Sequence, residues 1–240
     1  MASTIVEIPQ AVLETFARSE EYHNSFLLHP DGGSEQALKH SAENGLPPIA
    51  VSGSQGKLLK LVALTMGAKR VLEVGTLGGY STICLAQGLP EDGEVITLEI
   101  SEAHAKVARE NLVKAGIRNA RVVVGDANES LRGLPTEEPF DLIFVDADKK
   151  SYPHYFLEAK RLVRKRGVII IDNVVQKGRV ADESFSCRPN PSKVVYPDDS
   201  SVEGVRTLLR MLKEDKEVEA TTIATADEKG YDGFMYAIKL

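Results

Sequence analysis

The stretch Arg70-Val71-Leu72-Glu73-Val74-Gly75-Thr76-Leu77-Gly78-Gly79-Tyr80-Ser81 decides how this chain folds. Val71, Leu72 and Val74 form the short apolar run expected of a fully buried strand. Gly75 breaks the run, and Gly78-Gly79 lead into a segment expected to be helical over residues 80–87. Glycines at a strand-to-helix turn let the backbone pass close to a ligand where a side chain would collide. A second strand is expected over 94–100, and its acid, Glu99, follows Gly79 by twenty residues. A doubly wound fold places there the carboxylate that holds a ribose by its hydroxyls.

A nicotinamide dinucleotide needs helix-terminal N–H groups facing a pyrophosphate, which favours Gly-x-Gly-x-x-Gly. Here the glycines are 75, 78 and 79, and Glu73 stands two residues before the first. A carboxylate at that place repels a pyrophosphate and suits a cationic amino-acid group. The plain alternative is a turn that only lets helix and strand pack closely; Glu73 and Glu99 together favour a nucleoside ligand. The pattern Glu-x-Gly-x-x-x-Gly resembles the first motif of class I methyltransferases that use S-adenosylmethionine.

Outward from this stretch the chain alternates between strands and helices. Apolar spacing in Val12, Leu13, Phe16 and Ala17 predicts a helix over 10–22, and residues up to 48 make an N-terminal helical segment. Ser52 or Ser54 can cap a helix running through Met66, and Ser101 can cap another that ends at Ala115-Gly116. Further strands are expected over 121–125, 140–145 and 167–171, with a helix over 152–164. A helix over 202–213 and two strands, 221–225 and 234–240, joined by a hairpin, complete the chain. Such alternation gives a mostly parallel sheet with helices on both faces, here seven-stranded with an antiparallel last strand. Right-handed crossovers then bring Glu73, Glu99, Asp126, Asp146 and Asp172 to one rim. Residues 174–200, with Pro189, Pro191 and Pro197, read as a substrate loop or lid.

Composition narrows the function. At 240 residues the chain suits a single domain spanning 1–240. A formal net charge of −6 argues against broad binding to nucleic acid or anionic membrane. Cys84 and Cys187 have neither metal spacing nor a disulfide framework, and Cys84 is expected to be buried. His23, His29 and His40 lack helical metal-pair spacing and read as surface or packing residues. With no signal peptide, membrane-spanning run or convincing transit peptide, the chain is expected to be intracellular and cytoplasmic.

Asp146, Asp172 and Asn173 form a second constellation. Two carboxylates and an amide oxygen make a hard oxygen site suited to Mg²⁺, Mn²⁺ or Ca²⁺. Two adjacent hydroxyls on an aromatic ring can complete such a site, and a bound hydroxyl becomes a nucleophile near neutral pH. Lys149, three residues beyond Asp146, can take the hydroxyl proton; its plain reading is a solvated lysine opening a helix. Asp148 reads as a nucleoside contact or a helix cap. For Asp172-Asn173 the plain alternative is a turn after a buried strand.

Glu73-Val-Gly-Thr-Leu-Gly-Gly-Tyr-Ser, Phe144-Val-Asp-Ala-Asp-Lys149 with Tyr152, and Asp172-Asn173 resemble the cation-dependent O-methyltransferases, the family of caffeoyl-CoA and catechol O-methyltransferases. The resemblance covers roughly residues 48–178 and the C-terminal strands. It implies a Rossmann-like class I fold and methyl transfer from S-adenosylmethionine to one of two vicinal hydroxyls of a small aromatic, such as a catechol or flavonoid. Glu73, Gly75, Thr76, Ser81 and the backbone near Val51 would hold the methionyl part, Glu99 the ribose, and Asp126-Ala127 the adenine edge. Asp146, Asp148 and Tyr155 complete the implied cofactor contacts. Asp146, Asp172 and Asn173 would ligate the metal, Lys149 would be the general base, and the assembly would be a homodimer. The sequence departs from plant caffeoyl-CoA enzymes in having Val51 where they have threonine, and no tryptophan after Asp172-Asn173. A coenzyme A ester is therefore unsupported as substrate. Methylation of a hydroxylated RNA base, nicotinamide-dependent dehydrogenation and cofactor binding without catalysis are the competing functions, and the acidic balance and glycine spacing count against the first two.

Overall fold

The computed structural model describes residues 9–29, 33–182, 199–227 and 230–240. Seven strands, β1 (Arg70–Val74), β2 (Glu94–Glu99), β3 (Ala120–Val124), β4 (Phe140–Val145), β5 (Val163–Ile171), β6 (Val218–Asp227) and β7 (Gly230–Lys239), make one sheet. Among the described residues eight α-helices accompany them: α1 (Gln10–Leu27), α2 (Gly33–Glu43), α3 (Gly53–Thr65), α4 (Tyr80–Ala86), α5 (Glu102–Lys114), α6 (Ala127–Arg132), α7 (Tyr152–Leu162) and α8 (Asp199–Glu214). The strand order is β3-β2-β1-β4-β5-β7-β6. Pairing is parallel from β3 to β5, and β7 runs antiparallel to both β5 and β6. The expected mostly parallel sheet with an antiparallel last strand is the observed one.

The alternation of a strand's side chains sorts the core into two layers. Leu72, Val74, Ile143, Val145, Ile169 and Ile171 face one side, where Tyr152, Phe156 and Leu162 of α7 and Val205 and Leu208 of α8 cover them. Val71, Val95, Leu142, Phe144 and Ile170 face the other, under Leu59 and Ala63 of α3 and Leu85 of α4. Burying each such aliphatic side chain stabilises the fold by about 1.5–3 kcal/mol. Between these runs the chain reverses sheet direction: β1 is flanked by β2 and β4, so connections leave it on opposite sides. A crevice opens outside the carboxyl ends of β1 and β4, where open α/β sheets bind ligands.

Several boundaries differ from the sequence expectation. The helix expected to reach 164 stops at Leu162, and β5 starts at once with the buried Val163. Its charged residues 164–166 conceal a strand because they stand at the sheet's solvent-facing end, with Arg166 at φ 60°. The final hairpin is longer than expected, because β6 pairs with β7 from Val218 to Asp227 as an edge strand whose residues 219–224 are all exposed. Helix α6 had no apolar periodicity to announce it; Asp126 starts it by accepting a hydrogen bond from Asn128 N–H at 2.8 Å. Of the expected loop 174–200, the stretch 183–198 lies outside the described residues, as does Cys187. The described part holds a short 3-10 turn, Gln176–Gly178, and α8 begins at Asp199. Among the described residues no helix is long and apolar enough to cross a membrane.

Candidate active site

The glycine turn sits at the crevice because nothing larger fits there. Gly75 has φ 102°, and a Cβ on it would collide with the backbone carbonyl of Asp146. The ends of β1 and β4 are tied at that point by Asp146 N–H donating to Val74 O at 2.8 Å. Gly79, at φ 81°, starts α4, and a Cβ on Gly78 would collide with Ser41 of α2. Asn111 of α5, itself buried, locks this layer. Its Nδ2 donates to Gly78 O at 2.8 Å, Ser41 Oγ at 3.1 Å and Ala37 O at 3.2 Å, and its Oδ1 lies 2.8 Å from His40 Nδ1.

Glu73 lies one residue inside β1, fully buried under α4 rather than on the open rim. Thr82 Oγ1 donates to its Oε2, while its Oε1 is buried without a hydrogen-bond partner. Burial pushes its carboxyl up to about 7, partly offset by the neighbouring hydroxyls of Ser81, Thr82 and Thr97. An orphaned carboxylate oxygen beside a glycine cradle is suited to an ammonium group. Glu99 ends β2 and accepts from three backbone N–H groups: Thr76 at 3.2 Å, Leu77 at 2.8 Å and Ser101 at 2.9 Å. It therefore fixes the turn that a nucleoside would lie against. Thr76 Oγ1 and Thr97 Oγ1 are 2.5 Å apart in the same layer.

The second cluster lies where β4 and β5 end. Lys149 Nζ donates to Asp146 Oδ1 at 3.0 Å, with both side chains about a fifth exposed. Asp172 is buried at 4% exposure and is pushed up to about 7, first by burial and next by the charge of Asp146. Tyr152 Oη donates to the Asp172 carbonyl at 2.8 Å, which sets the course of the chain leaving β5. Asn173 follows with φ 52°, and its Nδ2 donates to Asp232 Oδ2 at 3.3 Å. Among the described residues no three His, Cys, Asp or Glu side chains form a metal-binding group. The candidate cation site therefore depends on Asn173 as its third ligand.

Other expected residues cluster around these two centres. Val51 is buried just before α3, and Ser52 rather than Ser54 caps that helix. Asp148 makes no cap bond to the backbone; its carboxylate accepts from Tyr155 Oη at 2.5 Å and Ser151 Oγ at 2.6 Å. Burial and this carboxylate push the Tyr155 hydroxyl upward. Asp126 and Ala127 lie at the start of α6 beyond β3, with Asp126 exposed. Cys84 is buried, and His40 packs between α2 and α5.

Two residues at the site carried no weight in the sequence reading. Gln55 is the third residue of the α3 capping box with Ser52, and its Nε2 also donates to Asp172 Oδ1 at 3.2 Å. The spacing Ser-x-x-Gln signals the cap but not the second bond. Asp232 stands within β7, where an aspartate is disfavoured, and that mismatch was its only local sign.

The sheet order, the glycine cradle at the β1–β4 crevice and the buried carboxylate beneath it, with one oxygen unpartnered, define a class I, S-adenosylmethionine-dependent methyltransferase. A model of the O-methyltransferase family matches residues 33–232. The catechol O-methyltransferase of Mycobacterium tuberculosis is 42% identical over 220 residues, covering 91% of this chain and 94% of that protein. The catechol O-methyltransferase of Niastella koreensis is 39% identical over 228 residues, covering 94% and 98%. The structure of the O-methyltransferase from Bacillus cereus in complex with S-adenosylhomocysteine superposes with a TM-score of 0.87 at 40% identity, covering 95% of this chain and all of that one. That of TomG from Streptomyces achromogenes, in complex with S-adenosylmethionine, gives 0.85 at 38%, covering 97% and 99%. The chain belongs to the O-methyltransferase family, and it is an S-adenosylmethionine-dependent O-methyltransferase.

Proposed function

We propose that this enzyme methylates one of two vicinal hydroxyls on a small aromatic, a catechol or flavonoid, with the help of a divalent cation. The observation that carries this reading is that the buried Asp172, next in the chain to Asn173, feels the charge of Asp146, which Lys149 engages at 3.0 Å. The donor set fits a hard cation. The charge of Asp146 adds to burial in disfavouring the charged form of Asp172, a repulsion that a proton or a cation near both would relieve. Asn173 turns its nitrogen toward Asp232, which leaves its oxygen as the donor atom. Bound there, Mg²⁺, Mn²⁺ or Ca²⁺ would orient a catechol and lower the pKa of the attacking hydroxyl. The names of the mycobacterial and Niastella relatives support a catechol-type acceptor.

In this reading Glu73 receives the cofactor's ammonium, with Gly75, Thr76, Ser81 and the Val51 backbone around the methionyl chain. Glu99 receives the ribose, and Asp126, Ala127, Asp148 and Tyr155 line the nucleoside end. Lys149 accepts the hydroxyl proton. Its ammonium is held by Asp146, and engaging that carboxylate elsewhere frees the amine to act as base. Holding hydroxyl and methyl in line supplies proximity catalysis. The chain is further read as a homodimer, because Tyr22, Phe26 and Leu27 of α1 and Leu61 and Leu64 of α3 are exposed apolar side chains.

Methyl transfer from labelled S-adenosylmethionine across catechols, flavonoids and caffeoyl-CoA, with Mg²⁺ or with EDTA, tests the reading. Product from vicinal diols only, and only with metal, is expected. Undiminished turnover in EDTA would refute the cation's role.

A further inference from the structure

Asp232 sits on β7, far along the chain from the rim acids, yet its carboxylate gathers the segment that follows β5. Its Oδ1 accepts from the N–H groups of Val175 at 3.1 Å, Gln176 at 2.8 Å and Gly233 at 2.9 Å. Its Oδ2 accepts from Asn173 Nδ2 at 3.3 Å. The segment it holds contains three non-glycine residues in the left-handed region: Asn173 at φ 52°, Gln176 at φ 51° and Lys177 at φ 56°. Backbone of that kind persists only where its surroundings over-determine it. Forming the β6–β7 hairpin does not call for a carboxylate at this position, and strands disfavour aspartate.

The two ends of an asparagine amide have nearly the same shape and opposite hydrogen-bonding sense: oxygen accepts and nitrogen donates. A carboxylate only accepts, so Asp232 can face only the nitrogen of Asn173. We propose that Asp232 is the positioning residue that orients the Asn173 amide, so that its oxygen faces the cation site. This inference rests on the cation reading above. It adds a cause for ligand orientation that neither Asp146 nor Asp172 supplies, since a carboxylate ligand presents oxygen whichever way it turns.

Asp232→Asn keeps an oxygen for the three backbone donors and sets an NH₂ group against the NH₂ of Asn173. Turning the Asn173 amide relieves that clash and brings nitrogen to the cation site. The swap Asp232→Asn with Asn173→Asp reverses the pair: the new amide donates to the new carboxylate, which still presents an oxygen to the cation.

The test is Mn²⁺ titration of protein saturated with S-adenosylhomocysteine, followed by calorimetry, with S-adenosylhomocysteine affinity in EDTA as the measure of an intact fold. Expected for Asp232→Asn is a loss of Mn²⁺ affinity of about 10- to 100-fold, as for other outer partners of metal ligands, with metal-free cofactor affinity unchanged. The swap should return Mn²⁺ affinity to within about threefold of the wild type. Wild-type binding of Mn²⁺ with equal binding by Asp232→Asn overturns the inference and leaves the cation reading standing. No Mn²⁺ uptake by the wild type overturns both. Should Asp232→Asn fail to hold S-adenosylhomocysteine, the swap decides: near-wild-type affinity supports amide orientation, and a tenfold or larger loss overturns it.

Discussion

Lys149 Nζ and Asp146 Oδ1 are 3.0 Å apart, so the candidate base and a candidate cation ligand share one hydrogen bond. A cation and the lysine proton compete for the same carboxylate. Lys149→Met should lower kcat by about 10²–10⁴-fold while leaving cofactor affinity intact, the usual range for a lost general base. Lys149→Arg should not rescue it, because a guanidinium stays protonated. Steady-state kinetics with a catechol, alongside cofactor titration, would decide; near-normal turnover in either variant counts against Lys149 as base.

Glu73 is expected to make the cofactor-free enzyme lose stability as pH rises. Its carboxyl is raised from 4.5 to about 7 on folding, so the protonated form is favoured in the folded state. The stabilisation is fully present below about 4.5 and is lost as pH rises through about 7, amounting to roughly 3 kcal/mol. Glu73→Gln should therefore melt higher than the wild type at pH 8 and no higher at pH 4.5. The same variant should bind S-adenosylmethionine more weakly, having no charge for the ammonium. Thermal melts across pH with and without cofactor test both signs, and equal midpoints at pH 8 would remove the premise.

Gln55 bridges the α3 cap and Asp172. Gln55→Ala should cost about 1 kcal/mol from the lost hydrogen bond to Ser52 N–H, while the Ser52 side chain keeps its bond from the backbone N–H of residue 55. That corresponds to a fall of about 2–4 °C in melting midpoint for a chain of this size. It should also weaken Mn²⁺ binding, because the Asp172 carboxylate loses the donor that holds it. A lowered midpoint with unchanged Mn²⁺ affinity would confine Gln55 to the cap.

Asn111 should govern cofactor binding without touching the acceptor. Its Nδ2 serves Gly78, Ser41 and Ala37 at once, and it is 1% exposed. Asn111→Ala strips Gly78 O of its donor, at about 1–3 kcal/mol for a group left buried and unpaired, while Ser41 Oγ still donates to Ala37 O. The KM for S-adenosylmethionine should rise several-fold, with the KM for a catechol unchanged. A parallel rise in both would point to general loosening instead.

The strands, the glycine break and most helix starts were legible because each is a local property. Val71, Leu72 and Val74 are apolar whatever surrounds them, Gly75 needs φ 102° to turn, and Ser52 and Ser101 cap within three residues of themselves. Glu73, Asp146, Lys149, Asp172 and Asn173 stood out because charged and amide side chains next to buried runs conflict with burial. The extent of β5 and of the final hairpin was obscured, since polar edge and end positions mask strand character.

The sequence alone determined an alternating α/β chain with a glycine turn, an acid before it and a set of acids after its strands; that the first acid, Glu73, is buried came from the structure. Only the tertiary structure decided which of these meet. The reversal of strand order at β1 and β4 sets Gly75 against the Asp146 carbonyl. Gln55 reaches Asp172 across 117 residues, and Asp232 reaches Asn173 across 59. Side-chain periodicity reports how one segment presents its own face to a core. Which segments become neighbours depends on the packing of all of them together, so contacts of this range exist only once the sheet has closed its order.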